Sequence, residues 1–152
     1  MSDENEITNL QDLLGDLSQP DEGDKIEFVA VIGAGLMGQG IARTISAAGI
    51  DVVMIEKKEE RIEEALQNLT KSMEHEISRW AMTKSEMKSI MSRIKWSLDI
   101  NQVKDADFII EAVEENIELK KEIFRILDEV ADPETILVSN TATLSLTKIA
   151  EV

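Results

Sequence analysis

Short apolar runs alternate, from residue 26 onward, with longer segments whose apolar residues recur at helical spacing. The runs of strand length are FVAVI (28–32), DVVMI (51–55), DFIIEAV (107–113) and TILVSN (135–140). The segments between them carry apolar residues three or four positions apart, as in amphipathic helices. A strand–helix alternation of this kind is typical of a parallel sheet covered by helices. The pattern therefore predicts an α/β fold with a doubly wound parallel sheet.

The segment after DVVMI is long and helical. Its apolar residues that share one helical face are Ile62, Ala65, Leu66, Leu69, Met73 and Ile77. Thr83, with Glu86 three residues later, forms a capping box that opens another helix. We therefore expect a helical excursion at about 58–92. RIKWSLDI (93–100) then predicts a short strand, and Pro133 ends the helix that follows DFIIEAV.

Glycines cluster where the first predicted strand becomes a helix. Gly33, Gly35 and Gly38 form G-x-G-x-x-G, with Leu36 and Met37 inside the motif. In a Rossmann unit the first glycine permits a tight turn, the second lets the backbone approach a pyrophosphate, and the third allows close packing of helix on strand. The helix N-terminus then faces the anion. The motif indicates a dinucleotide site, although glycine-rich turns also occur for structural reasons alone.

Glu56 stands at the end of the second predicted strand, about where a Rossmann unit carries its ribose-binding acid. A carboxylate there accepts hydrogen bonds from the ribose hydroxyls and repels a 2′-phosphate, which favours NAD over NADP. Lys57 and Lys58 follow directly and weaken that preference. FAD, which uses a similar fingerprint, is the minor alternative cofactor, and a solvated glutamate heading a charged helix is the structural alternative for Glu56.

Composition and charge narrow the classes of function. The 152 residues contain no cysteine and a single histidine, so disulfides, thiolate chemistry and a histidine-rich metal site are excluded, and we expect no metal. A net charge of −15 argues against nucleic-acid binding. Residues 1–25 form an acidic tail that we expect to be disordered, although Ile7, Leu10, Leu14 and Leu17 have helical spacing. Without a signal peptide or a long apolar run, the chain is expected to be cytoplasmic, with no membrane contact.

Three segments resemble one enzyme family. GAGLMGQGIA, IIEAVEENIELKKEIF and ILVSNTATLSL are similar to the NAD-binding domain of the 3-hydroxyacyl-CoA dehydrogenases of fatty acid metabolism, from about Phe28 onward. The resemblance implies hydride transfer between NAD and a 3-hydroxyacyl-CoA, giving a 3-ketoacyl-CoA. It also implies that Glu115 and Lys120 bind the cofactor on its nicotinamide side. Without the resemblance, these two residues would be interpreted as a helix-start acid and a surface lysine.

The resemblance also places substrate residues, and here the chain departs from the family. It implies that Ser72 and Arg79 face the acyl-CoA and that Asn140 lies at the substrate. Ala142 stands where family members usually carry a serine whose hydroxyl binds the substrate oxygen. Thr141 and Thr143 flank it, but on a strand their hydroxyls would point to the opposite face, so we expect them to be poor substitutes.

The family's catalytic base, a histidine paired with a glutamate, has no counterpart in these residues. His75 is interpreted as a solvated residue on the polar side of the long helix. We expect the catalytic pair, the rest of the Rossmann domain and a helical dimerisation domain to lie beyond Val152, so that the 152 residues (Rossmann domain from 26 to 152) bind NAD without efficient turnover. A homodimer is expected only with that further domain. The alternatives are a non-catalytic NAD-binding or interaction module and the cofactor domain of a sugar-acid dehydrogenase.

Overall fold

The structure, a computed structural model, describes residues 25–152. The acidic tail and its helical spacing therefore lie outside the described residues, apart from Lys25. Five strands form one parallel sheet: β1 (Phe28–Ile32), β2 (Asp51–Ile55), β3 (Ile94–Ser97), β4 (Phe108–Glu111) and β5 (Ile136–Ser139). Their order across the sheet is β3-β2-β1-β4-β5. This is the order of a doubly wound Rossmann sheet, and the predicted fold class is confirmed.

Five α-helices connect and cover the strands: α1 (Leu36–Ala47), α2 (Glu59–Ser78), α3 (Lys84–Arg93), α4 (Ile117–Val130) and α5 (Leu146–Ile149). A short 3-10 helix spans Ile100–Val103. The predicted excursion is thus two helices, α2 and α3, and the Thr83–Glu86 capping box is present at the start of α3. Helix α4 ends at Val130, before Pro133, as the sequence predicts.

Alternate residues of the strands point to opposite faces of the sheet and pack into two separate hydrophobic cores. Val29 and Val31 of β1 face α1, α2 and α3, where they join Val52 and Met54 of β2. On the other face of the sheet the core contains Ala30, Ile32, Val53, Ile55, Ile109 and Leu127. Because both faces are covered, the central strands are apolar at nearly every position, which is why they read as continuous apolar runs.

The long helix α2 packs through a narrow stripe. Ala65, Leu69 and Met73 are buried against the sheet, whereas Leu66, predicted on the same face, is 39% exposed. Polar contacts join the helical layer as well: Arg43 of α1 donates to Glu76 of α2 at 2.6 Å, and the buried Ser46 hydroxyl donates to the carbonyl of Ile90 in α3 at 2.6 Å. The Arg43 guanidinium lowers the pKa of Glu76 through this hydrogen bond.

The turn between α2 and α3 contains an unusual residue. Trp80 has φ +60°, in the left-handed region, and its side chain is 96% exposed. The N–H of Ala81 bonds to the carbonyl of Glu76 and the N–H of Trp80 to that of Ile77, which is the Schellman pattern that usually places glycine at this position. A bulky residue here carries backbone strain that no burial of its ring offsets.

Strand β5 lies at one edge of the sheet and is only partly covered. Ile136 is 51% exposed and Val138 is 37% exposed, so its residues alternate between exposed and half-buried. Across residues 25–152, no helix has the length and apolar character needed to cross a membrane.

Candidate cofactor site

The turn between β1 and α1 contains three glycines, and the surroundings differ at each of the three positions. Gly33 has φ +104°, and a Cβ there would lie 2.9 Å from the carbonyl oxygen of Ala112. A Cβ on Gly38 would lie 1.9 Å from the carbonyl oxygen of Gly33, so only glycine lets α1 pack this closely on the turn. A Cβ on Gly35 would meet no protein atom within 4 Å. Gly35 therefore faces open space at the N-terminus of α1.

Two side chains hold this turn in shape. The Gln39 amide is buried and donates to the carbonyl of Ala34 at 2.8 Å. Glu56 accepts from the backbone N–H of Ala34 at 3.1 Å and from its neighbour Lys57 at 2.7 Å. The ends of β1 and β2 are thus tied together, with the Glu56 carboxylate beside the glycine turn. Gln39 was not among the predicted site residues, although a polar side chain at a buried position of an amphipathic helix indicates a buried hydrogen bond.

A cleft of about 610 Å³ opens at the carboxyl ends of the strands. Gly33, Gly35 and Glu56 line it together with Lys57, Lys58 and Arg61. Apolar side chains also line it, from the segment after β3 (Leu98 and Ile100) and from α4 (Leu119, Ile123 and Ile126). In open α/β sheets, ligands bind in such a crevice where the strand order reverses, here between β1 and β4. Leu36 and Met37 are exposed at the first turn of α1, at 85% and 58%.

Next to this cleft lies a buried ion pair that the sequence did not predict. Glu111, at the end of β4, and Lys120, in α4, both have fully buried side chains. The Lys120 ammonium donates to both Glu111 oxygens, at 2.8 and 2.9 Å. Glu111 also accepts from the N–H of Val113 at 2.7 Å and from the hydroxyl of Ser139 at 2.6 Å. Each buried charge is therefore paired and hydrogen-bonded, as burial requires.

Lys120 is consequently not the surface lysine that its charged surroundings in the sequence suggested. Its ammonium also lies 3.4 Å from the carbonyl of Asn140, 3.5 Å from that of Val113 and 3.5 Å from a Glu115 oxygen. One cation thus connects α4 with the loops that follow β4 and β5. Asn140 is half-buried, and its N–H donates to the carbonyl of Glu111 at 2.7 Å.

Glu115 accepts several hydrogen bonds from the loop that follows β5. One of its oxygens accepts from the hydroxyls of Thr141 and Thr143 and from the N–H groups of Ala142 and Thr143, the last two at 3.2 Å. The Thr141 hydroxyl is the main cause that lowers the pKa of Glu115 to about 2; partial burial opposes it, and the Thr143 donors and the Lys120 charge assist. The Glu115 carboxyl is therefore ionised at neutral pH.

The expectation about the two threonines was wrong in its geometry. Strand β5 ends at Ser139, and residues 142–144 are bends rather than part of a strand. The alternation of strand side chains does not apply there, and both hydroxyls reach the same carboxylate oxygen. Ala142, whose side chain is exposed, contributes only its N–H.

The remaining predicted residues lie elsewhere. Ser72 and Arg79 are exposed on α2 and at its C-terminal cap, and neither lines the cleft beside the glycine turn. His75 is exposed on α2, in agreement with its interpretation as a solvated residue. The structure thus brings Gly33, Gly35 and Glu56 into one cleft and does not bring Ser72 or Arg79 to it.

Comparison with known proteins identifies the family of this chain. Residues 28–152 match the family model of the 3-hydroxyacyl-CoA dehydrogenase NAD-binding domain. The chain belongs to this family. It is an NAD-binding domain of the 3-hydroxyacyl-CoA dehydrogenases, and the resemblance found in the sequence and NAD as the cofactor are both confirmed.

Individual relatives agree with this family. A probable 3-hydroxybutyryl-CoA dehydrogenase of Bacillus subtilis is 40% identical over 84% of this chain and 45% of its own length. The crystal structure of Mycobacterium tuberculosis FadB2 is 37% identical, with a TM-score of 0.81 over 84% of this chain and 45% of that chain. The crystal structure of the Escherichia coli 3-hydroxybutyryl-CoA dehydrogenase has a TM-score of 0.80 at 33% identity, covering 84% of this chain and 27% of that chain. The chain thus spans less than half the length of these relatives.

The residues present fit a dinucleotide. The open space at Gly35 admits a pyrophosphate that any side chain there would displace, and the N–H groups of the first turn of α1 face it. The cleft beside it is lined by a carboxylate, Glu56, and by several apolar side chains, a combination that suits a ribose and an adenine ring.

Proposed function

We propose that this chain holds NAD for the interconversion of 3-hydroxyacyl-CoA and 3-ketoacyl-CoA. Gly33, Gly35 and Gly38, with Leu36 and Met37, form the pyrophosphate turn, and Glu56 accepts from the ribose hydroxyls. The observation that carries the proposal is the open space at Gly35, beside Glu56 and at the point where the strand order reverses. The bound cofactor supplies the hydride acceptor.

Glu115, Lys120 and Asn140 form the nicotinamide and substrate end in this proposal. They follow β4, which pairs with β1, and β5, which pairs with β4. The buried pair of Lys120 and Glu111 holds them together. Substrate approach would require a precise loop after β5, because a displacement of about 1 Å can cost a hundredfold in rate. The role of Ser72 and Arg79 toward an acyl-CoA is carried by the family resemblance alone.

The first test concerns the turn. Titration with NADH, followed by the nucleotide's fluorescence, should show binding to the wild-type chain and none to Gly35→Val, whose side chain fills the pyrophosphate's place. Gly40→Val is the matched control, because a Cβ on Gly40 also meets nothing within 4 Å but lies one turn into α1. Unchanged affinity in a folded Gly35→Val would refute the proposed turn.

The same titration tests Glu56. NADH should bind more tightly than NADPH, and Glu56→Ala should narrow the difference, because the carboxylate repels a 2′-phosphate. Equal affinities of the wild-type chain for the two nucleotides would overturn this assignment.

We propose further that the 152-residue chain alone binds cofactor without efficient turnover. Among residues 25–152 the sole histidine, His75, is exposed on α2, away from the cleft. A positioned base contributes roughly 10²–10⁴ in rate. Reduction of acetoacetyl-CoA by NADH should therefore be negligible with this chain, and turnover that disappears in His75→Ala would contradict the proposal.

A non-catalytic NAD-binding module is the second candidate. It is favoured by Ala142, which supplies no hydroxyl, and by the engagement of Thr141 and Thr143 with Glu115, which occupies both neighbouring hydroxyls. The two candidates separate in a longer version of the protein that carries a histidine base: activity there supports the enzyme, whereas NADH binding without activity supports the module.

A further inference from the structure

Three basic side chains line the cofactor cleft directly beyond Glu56. Lys57 follows it in the chain, Lys58 is the N-cap residue before α2, and Arg61 lies in the first turn of that helix. All three are exposed. None of them takes part in an ion pair within residues 25–152, although four other basic residues of this part of the chain do.

The absence of partners is notable in so acidic a chain, which has 31 acidic and 16 basic residues. The acidic neighbours in the cleft have other contacts or positions. Glu56 accepts from two backbone N–H groups, and Asp99 accepts from the backbone and side chain of Asn101. Glu114 lies in the loop before α4, and Glu122 lies in α4, so both belong to a different segment from the three cations. Glu59 and Glu60 lie between Lys58 and Arg61 in the chain but do not line the cleft. Lys57, Lys58 and Arg61 therefore present positive charge to the cleft that no ion pair within residues 25–152 neutralises.

The position of these cations on a bound dinucleotide follows from the glycine turn. With the pyrophosphate at Gly35 and the ribose hydroxyls at Glu56, the residues next in the chain lie past the ribose. NADH carries no charge there, whereas NADPH carries its 2′-phosphate there, and a basic side chain close to the ribose acid accommodates that phosphate in Rossmann proteins.

We propose that Lys57, Lys58 and Arg61 accept the 2′-phosphate, so that this protein binds NADPH as well as NADH. Glu56 keeps NADH the tighter ligand, and the three cations limit the difference. This inference rests on the cofactor placement of the proposed function, and it assigns a specificity role to residues that need not touch NADH.

The expected effects are selective for one nucleotide. An exposed ion pair changes an equilibrium constant by a factor of roughly 1.5 to 5, so replacing all three cations by glutamine should weaken NADPH binding by roughly threefold to a hundredfold. NADH affinity should change by less than about twofold. Because exposed charges are screened by salt, NADPH affinity should also fall more steeply than NADH affinity between low and high ionic strength.

The experiment titrates the full chain with NADH and with NADPH by fluorescence, at two salt concentrations. The variants are Lys57→Gln/Lys58→Gln/Arg61→Gln and a matched triple variant, Lys71→Gln/Lys84→Gln/Lys88→Gln, which changes the net charge equally at exposed positions outside the cleft. A loss of NADPH affinity confined to the first variant, together with the steeper salt dependence, supports the inference.

Three results would overturn it. They are wild-type binding of NADH with no detectable NADPH binding, an equal loss for both nucleotides in the first variant, and an equal NADPH loss in the matched variant. Binding of neither nucleotide to the wild-type chain would refute the cofactor placement itself, and the inference with it, so failure of the two ideas can be distinguished.

Discussion

Removing the buried ammonium of Lys120 should be among the most destabilising single changes in this fold. In Lys120→Met the side chain keeps its length and apolar body, but Glu111 loses the donor that contacts both of its oxygens. Glu111 would retain the Val113 N–H and the Ser139 hydroxyl as donors, with no opposite charge in contact. An uncompensated carboxylate would then remain in a position that is fully buried.

The magnitude follows from that burial. Breaking a buried ion pair by removing one partner costs about 3–5 kcal/mol, because the remaining charge keeps its desolvation penalty. With a urea dependence of roughly 2 kcal/mol per molar, the unfolding midpoint should fall by about 1.5–2.5 M. The double variant Glu111→Gln/Lys120→Met should lose less than Lys120→Met alone, since it contains no buried charge and a glutamine oxygen can still accept from Val113.

Urea unfolding followed by circular dichroism measures this cycle. Lys121→Met is the matched control, because Lys121 neighbours Lys120 in α4, is only half-buried and makes no ion pair within residues 25–152. Its cost should stay within about 0.5 kcal/mol. A loss of unfolding free energy below about 1 kcal/mol for Lys120→Met, or a double variant less stable than Lys120→Met, would show that the ion pair is not shielded from water as its burial indicates.

Three further changes test other parts of the structure. Trp80→Gly should stabilise the chain by about 1 kcal/mol in urea unfolding, because glycine adopts the left-handed backbone conformation without strain and the ring that is lost is almost fully exposed. Destabilisation would mean that the ring packs on the protein. Ser46→Ala should cost about 1–3 kcal/mol, since it leaves the buried carbonyl of Ile90 without its donor, and a neutral result would show that another donor reaches it. The pKa of Glu115 is lowered to about 2 from an ordinary value of 4.5, so the stability that this carboxylate contributes is complete above about pH 4.5 and is lost as the pH falls toward 2. Glu115→Gln should therefore reduce the loss of unfolding free energy at acid pH. An unchanged dependence of stability on pH would contradict the assigned contacts.

The sequence was sufficient for the fold because local signals agreed with one another. Apolar runs of strand length, capping boxes and the glycine turn each depend on residues close together in the chain. Their order predicted the parallel sheet, which the structure confirms. The division between α2 and α3 was also predictable, because the Thr83–Glu86 capping box is a local hydrogen-bond pattern.

The contacts around the cofactor cleft join residues that lie far apart in the chain. These contacts could not be predicted from the sequence. Glu111 lies opposite Ser139 in the pairing of β4 with β5, and it meets Lys120 only because α4 packs beneath the ends of those strands. An acidic residue inside the apolar run FIIEAV was the available signal, since a carboxylate on a central strand needs a buried partner. Spacing alone could not say that Lys120, rather than its neighbour Lys121, supplies the charge.

The loop after β5 shows why one missing side chain says little about the site's shape. A single Glu115 oxygen holds residues 141–143 through two backbone N–H groups and two threonine hydroxyls. None of these contacts uses a side chain at position 142, so the loop's conformation does not depend on whether alanine or serine stands there. Ala142 therefore removes a group that could meet a substrate oxygen without disturbing the loop that would present it. Under the proposed function, this departure from the family would therefore affect turnover rather than the binding of NAD.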